Sequence, residues 1–200
     1  MKKPMIRQGT VEYAIEQVKN GAERPRLLLH ACCGPCAAGV LDYIAPYFDI
    51  TVFFYNPNIM PKDEFNMRID ALKAVLSHYP DAKLIIPEQD ETEYTAKVKG
   101  FENAPEGGSR CGICFGLRLE KTAEYLKAHA NDFDAFATTL TVSPHKNAPL
   151  INEIGESIAS GYGVQYLCSD FKKRDGYLRS TKLCKEWNIY RQSYCGCKFD

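Results

Sequence analysis

Long apolar runs are missing from this chain of 200 residues: nothing approaches the ~18–20 consecutive apolar residues that a membrane span requires. The start, MKKPMIRQGT, is basic but has no apolar stretch behind it, so an export signal is not expected. Together these absences point to a cytoplasmic protein with no membrane partner. Excess charge of one sign is missing too. Twenty-five basic residues balance 25 acidic ones, so no global field draws the chain to nucleic acid, and any such affinity must come from local clustering. No Walker A sequence or glycine-rich phosphate loop occurs, which disfavours an ATP-dependent enzyme. Internal repeats and low-complexity linkers are also lacking, and one domain over 1–200 is the economical reading.

Cysteine is what the sequence has in excess, with nine residues. The odd count and the missing export signal argue against a disulfide framework and for metal or redox chemistry in a reducing compartment. Seven of the nine fall into three groups: Cys32, Cys33 and Cys36; Cys111 and Cys114; Cys195 and Cys197. Cys168 and Cys184 stand apart and read as small buried hydrophobes.

Short apolar runs alternate with amphipathic stretches, which predicts an α/β fold with a parallel sheet and flanking helices. Residues 1–22 read as an N-terminal helical extension. Strands are expected at 26–31, 50–55, 83–86, 133–140 and 164–167. Helices are expected at about 34–47, 62–79, 91–99, 113–129 and 148–160. The first cysteine group then follows the first strand, at the sheet edge where α/β proteins build their sites. Pro35 suits the first turn of the helix that follows. Thiolates at a helix start are favoured by the positive end of the helix dipole. Cys111 and Cys114, three apart, share a helix face. Cys195 and Cys197 can turn to one ligand if Gly196 allows a tight bend.

Four thiolates complete one [4Fe–4S] cluster, and seven candidates leave three over for a second metal or for catalysis. A structural zinc site is the plainer alternative, but its paired cysteines are usually closer than the roughly 75 to 80 residues that separate these groups. Cys33-Gly34-Pro35-Cys36 is also a thioredoxin-type dithiol, a reading that leaves the other five grouped cysteines without a role. The tail from Lys172 to Lys198 carries a net six positive charges interleaved with Tyr177, Trp187, Tyr190 and Tyr194. Such a stretch suits phosphates and unpaired bases, or else forms a solvated helix face with a few core aromatics.

The ordered set LLLHACCGPC, YNPNI at Tyr55–Ile59, CGIC at Cys111, DFKKRDGY at Asp170 and YRQSYCGC at Tyr190 resembles the QueH family of cobalamin-independent epoxyqueuosine reductases. The resemblance runs in order from about Arg26 to Cys197. It implies reduction of the epoxide of epoxyqueuosine to the alkene of queuosine at the wobble position of a tRNA anticodon, the last step of queuosine synthesis. It implies a fold of the HUP (adenine nucleotide alpha hydrolase-like) type with a helical metal-binding C-terminal portion. The implied cofactors are a [4Fe–4S] cluster and an adjacent mononuclear iron, without cobalamin or ATP. The implied electron source is an external low-potential donor of the ferredoxin or flavodoxin type.

Carried over by motif, Cys33, Cys111, Cys114 and Cys195 are expected on the cluster, with Cys32, Cys36 and Cys197 near the iron. An acid must protonate the departing oxygen; Tyr55, His145, Tyr190 and Tyr194 are the candidates. His30 reads as a satisfied core histidine. Lys172, Lys173, Arg174, Arg179 and Arg191 are expected to meet tRNA. A zinc-stabilised RNA-binding module and an iron–sulfur tRNA thiolase are the competing functions.

Overall fold

The computed structural model describes residues 9–197, with the side chain of Arg174 outside the described set. Lys198, counted in the basic tail, also lies outside it.

Four strands form one all-parallel sheet. β1 (Arg26–His30) lies beside β2 (Asp49–Phe53) and β4 (Ala135–Thr138), and β3 (Lys83–Ile85) completes the order β3-β2-β1-β4. The strands are apolar on both faces because both faces are covered. The pleat sends Leu27, Leu29, Ile50, Val52, Ala135 and Ala137 into one core, and Leu28, Phe53 and Phe136 into the other. α1 (Val11–Lys19), α2 (Gly34–Ile44), α3 (Lys62–Leu76) and α7 (Gly176–Glu186) contribute to the first core. α5 (Ser109–Ala128), α6 (Ala148–Tyr162) and the short α4 (Glu91–Lys97) contribute to the second.

The chain steps outward from β1 to β2 and β3, then returns to place β4 on the other side of β1. That reversal opens a crevice between the C-terminal ends of β1 and β4, the usual place for a site in such sheets. Cys32 follows β1 at that point, and its backbone N–H donates to Thr139 Oγ1 across the crevice at 3.2 Å.

Three expectations are corrected. The run 164–167 is not a strand; it makes one isolated bridge, Phe136 with Tyr166, before the chain turns away and Cys168 N–H donates to Gly9 O. The fourth strand is shorter than 133–140, because Thr139–Val142 winds into a 3₁₀ turn. The helix expected from 113 starts at Ser109, since Cys111 N–H already reaches Gly108 O at 3.0 Å, so both CGIC cysteines lie within it.

α2 is clamped by α7, and Gly39 makes the clamp possible. A Cβ there would stand 2.5 Å from Gly176 O and 2.9 Å from Ser180 Cβ. The buried Ser180 hydroxyl donates to Pro35 O at 2.6 Å, tying α7 to the cysteine turn itself. Gly39→Ala is therefore expected to lower stability by about 1–3 kcal/mol through overpacking, measurable by thermal denaturation. An unchanged melting temperature would mean the two helices are less tightly apposed.

Candidate metal centre

Cys33 is the N-cap of α2: its Sγ accepts from Cys36 N–H at 3.4 Å. This cap and the turn of helix after it bring the Sγ atoms of Cys32, Cys33 and Cys36 within 4.8 Å of one another. Cys32 and Cys33 are buried, whereas Cys36 is partly exposed. Hydrogen bonds with Cys33 and Cys36 hold the Cys32 thiol well below its ordinary pKa, and Thr139 Oγ1 approaches its sulfur at 3.6 Å. Cys33 is pushed up to about 12, first by its bond with Cys32, and Cys36 rises as well. Cys32 is thus the most readily ionised of the three thiols, and a soft metal ion would favour ionisation of all three.

The second group lies in the first turns of α5. Burial pushes Cys114 up to about 11; the neighbouring Arg118 opposes that rise, while Cys195 and Cys111 add to it. Cys111 Sγ accepts from Gly107 N–H at 3.2 Å. The third group arrives from the C-terminal segment after α7. Met60 N–H donates to Gly196 O at 2.8 Å, and Arg68 donates to Cys195 O at 2.6 Å and to Tyr194 O at 3.2 Å. Gly196 sits at φ +92°, a conformation that L side chains rarely adopt, and a Cβ there would meet the Arg68 guanidinium at 2.4 Å. The tight bend expected between Cys195 and Cys197 is present.

Cys32, Cys33 and Cys114 belong to one buried cluster, with Cys36, Cys111 and Cys197 packed against it. Cys195 joins Cys36 in lining a cleft of about 490 Å³. Members of all three groups, and Cys168 with them, therefore pack on the same side of the sheet, and among the described residues Cys32, Cys33 and Cys36 are the one set of three or more whose sulfurs lie within 4.8 Å of one another. Cys33 from the expected cluster set sits in the compact triad with Cys32 and Cys36 from the expected iron set, so the two sets adjoin at the start of α2. None of the nine cysteines is in a disulfide. Cys184 is buried in the opposite core, and Cys168 is partly buried beside the Gly9 backbone.

The donor set fits a thiolate-bound metal or cluster: a compact triad of soft ligands, three of the seven grouped cysteines buried and four partly buried, with the buried Arg118 and the half-buried Lys146 nearby. Arg118 is 2% exposed, and its Nη2 has no hydrogen-bond partner. Lys146 shares the cleft wall with Cys36 and Cys195, and its pKa is raised, the low-lying Cys32 thiol outweighing the cost of burial.

Of the four proton-donor candidates, His145 and Tyr194 line the cleft. Tyr55 is fully buried in the core. Tyr190 donates to Glu64 Oε2 at 2.8 Å and is pushed up to about 12, by burial and then by that carboxylate. His30 is the satisfied core histidine expected. Its ring bonds Thr138 Oγ1 at 2.9 Å and Tyr55 O at 3.1 Å, and burial lowers its pKa to about 4.

Among the expected tRNA contacts, Arg191 lines the cleft and lies 4.9 Å over the Tyr177 ring. Lys173 is exposed. Lys172 instead donates to Lys146 O at 2.9 Å, and Arg179 is paired with Asp42 away from the cleft. The side chain of Arg174 lies outside the described residues.

Sequence reasoning missed Glu64, Arg68, Arg118 and Lys146. Glu64 and Arg68 form a buried i,i+4 pair at 2.6 Å on α3. Their helix-face spacing with buried Ala71 and Val75 was the available signal. Arg118 and Thr122 continue the face that starts at Cys114, which likewise marked an arginine inside the protein.

A parallel α/β sheet with a compact thiol triad at its switch point, and four further grouped cysteines on α5 and the C-terminal segment, defines a cysteine-rich α/β protein whose thiol triad suits a metal ion. The family model described as "Epoxyqueuosine reductase QueH" matches residues 27–200. Among relatives bearing the same name, the protein of Streptococcus pyogenes serotype M1 is 44% identical over 88% of this chain and 70% of its own. That of Staphylococcus epidermidis is 42% identical over 92% and 80%, and that of Thermotoga maritima 39% identical over 86% and 88%. The chain belongs to the QueH family of epoxyqueuosine reductases. Among the described residues, no helix is long and apolar enough to cross a membrane.

Proposed function

We infer that this chain reduces epoxyqueuosine to queuosine in tRNA, as a single-domain cytoplasmic enzyme. The reaction consumes two electrons and two protons, converts the epoxide to an alkene and releases the oxygen as water. The observation that carries the reading is the cleft whose wall includes both Cys36 and Cys195, so that a substrate held there lies against two of the three cysteine groups.

A [4Fe–4S] cluster on Cys33, Cys111, Cys114 and Cys195, with an iron beside Cys32, Cys36 and Cys197, supplies single electrons and a Lewis acid when bound. The protein provides the rest. The cleft holds the modified base, and His145, Lys146 and Tyr194 are proton-bearing side chains of its wall. The Lys146 ammonium, in the same cleft wall, is suited to offset the negative charge that the departing oxygen gains. Tyr177 and Arg191 offer a stacking face and a phosphate contact at the rim, which suits an unpaired anticodon base. Electrons come from an external low-potential donor of the ferredoxin or flavodoxin class.

The test is direct. Anaerobically reconstituted protein with dithionite is given tRNA bearing epoxyqueuosine, and the nucleosides are analysed by mass spectrometry. Loss of one oxygen from the modified nucleoside is expected. A reduced, iron-loaded protein that binds the tRNA but leaves the nucleoside intact would make it a binding module instead. The double substitution Lys173→Glu, Arg191→Glu should weaken tRNA binding and flatten its salt dependence by about one to two counter-ions, with iron content unchanged. Loss of iron in that variant would mean that these residues hold the fold rather than the RNA.

A further inference from the structure

The unpaired guanidinium of Arg118 carries the next step, and it rests on the reading that the cysteines bind an iron–sulfur centre. Arg118 lies one turn after Cys114 on the same face of α5. Its Nε donates to Cys114 O at 3.1 Å and its Nη1 to Asn56 Oδ1 at 3.3 Å, while Nη2 has no partner. Both acceptors are neutral, and among the described residues no carboxylate pairs with it.

A buried guanidinium cannot escape its charge by losing a proton, because its pKa exceeds about 12. Two bonds to neutral oxygens do not offset a full charge taken out of water. The thiols whose ionisation on binding a metal would act on it are, in order, Cys114, Cys195 and Cys32. These include members of all three cysteine groups. Arg68, by contrast, is equally buried but has its acid, Glu64, at 2.6 Å. Arg68 is thus paired with an acid within the protein, whereas the hydrogen bonds of Arg118 go to neutral oxygens.

We propose that Arg118 is the built-in counter-ion of the metal–thiolate centre, and that its charge raises the centre's reduction potential. A cluster held by four thiolates is anionic and gains a further negative charge on reduction. A fixed cation nearby in a low-dielectric interior stabilises the reduced state more than the oxidised one. Asn56, from the YNPNI segment, aims the guanidinium: its Nδ2 donates to Ala31 O at 2.8 Å at the end of β1 while its Oδ1 accepts from Arg118. Arg118 is a positioning residue in this role, acting through the centre rather than on the substrate.

Arg118→Met removes the charge at similar length, and Arg118→Lys keeps it. The full chain is compared with both variants in three measurements: melting of the metal-free protein, iron content after anaerobic reconstitution, and midpoint potential by EPR-monitored reductive titration. Metal-free Arg118→Met should melt no lower than the parent, because it sheds an uncompensated charge. Its loaded form should have a more negative midpoint, and Arg118→Lys should stay near the parent. Iron uptake by Arg118→Lys but not by Arg118→Met would also support the charge, as a requirement for assembly. The proposal fails if metal-free Arg118→Met is unfolded or melts well below the parent, or if loaded Arg118→Met keeps the parent's midpoint. It fails equally if Arg118→Lys shifts as far as Arg118→Met, or if neither variant takes up iron. A parent chain that takes up no iron overturns the metal reading itself, and this inference with it, before any variant is compared.

Discussion

Replacing Cys114 by alanine is expected to abolish the visible chromophore of anaerobically reconstituted protein and to lower epoxyqueuosine reduction by more than about 100-fold. Cys114 is 6% exposed in the first turns of α5, and its backbone carbonyl accepts from Arg118 Nε at 3.1 Å. Truncating a buried cysteine removes one sulfur and leaves a void smaller than a methylene or two, a cost of roughly 1 kcal/mol. The fold should therefore survive, and loss of iron would report a lost ligand rather than an unfolded chain. Cys168→Ala is the control, because Cys168 belongs to none of the three groups and should keep its iron. Equal iron in both variants would remove Cys114 from the centre.

The second large effect is expected at Arg68. This guanidinium binds Glu64 at 2.6 Å, donates to two backbone carbonyls of the Tyr194–Cys195 segment, and lies 5.4 Å over the Tyr194 ring. Both partners of the ion pair are nearly sealed from water, at 4% and 2% exposure. Arg68→Ala strands the Glu64 carboxylate, and breaking such a buried pair from one side costs about 3–5 kcal/mol. It also removes two of the bonds that hold the CGC bend. The expected result is a clearly lower melting temperature, early protease cleavage near the C-terminus and reduced iron. Glu64→Gln combined with Arg68→Met should recover much of the melting temperature, since no charge is then left unpaired, but not the iron. Recovery of both would show that α3 does not position the thiols of the CGC bend.

Arg68 and Arg118 also show where the sequence was legible and where it was not. β1, β2 and β3, the helices around them and the cysteine turn could be read because Leu27–Leu29, Ile50–Phe54 and the helical apolar spacing are local patterns. The three cysteine groups were legible for a different reason: metal-binding residue types are rare enough to stand out singly. The run 164–167 misled because its apolar residues are buried by α6 and β4 without continuing a ladder. That depends on where residues 9–11 cross, which periodicity does not encode. Among the described residues expected to meet RNA, Lys173 is exposed with Asp170 at 4.0 Å, and Arg191 lines the cleft while bonding Ser180 Oγ at 3.4 Å. Lys172 and Arg179 are committed to partners 26 and 137 residues away, and such pairings are invisible before folding. The arginines that serve the centre were missed because a charged residue on a helix is usually solvent-facing. Their burial is set by the thiols and carbonyls that surround them in space.

All of these expectations depend on distant cysteines sharing one iron-bearing centre. The measurement that bears on it most directly is iron and acid-labile sulfide per chain in protein purified and reconstituted without oxygen, followed by dithionite addition. A brown protein with about five irons and four sulfides per chain, whose visible absorption bleaches on reduction, is expected. A colourless protein holding a single zinc, with no absorption to bleach, would contradict it.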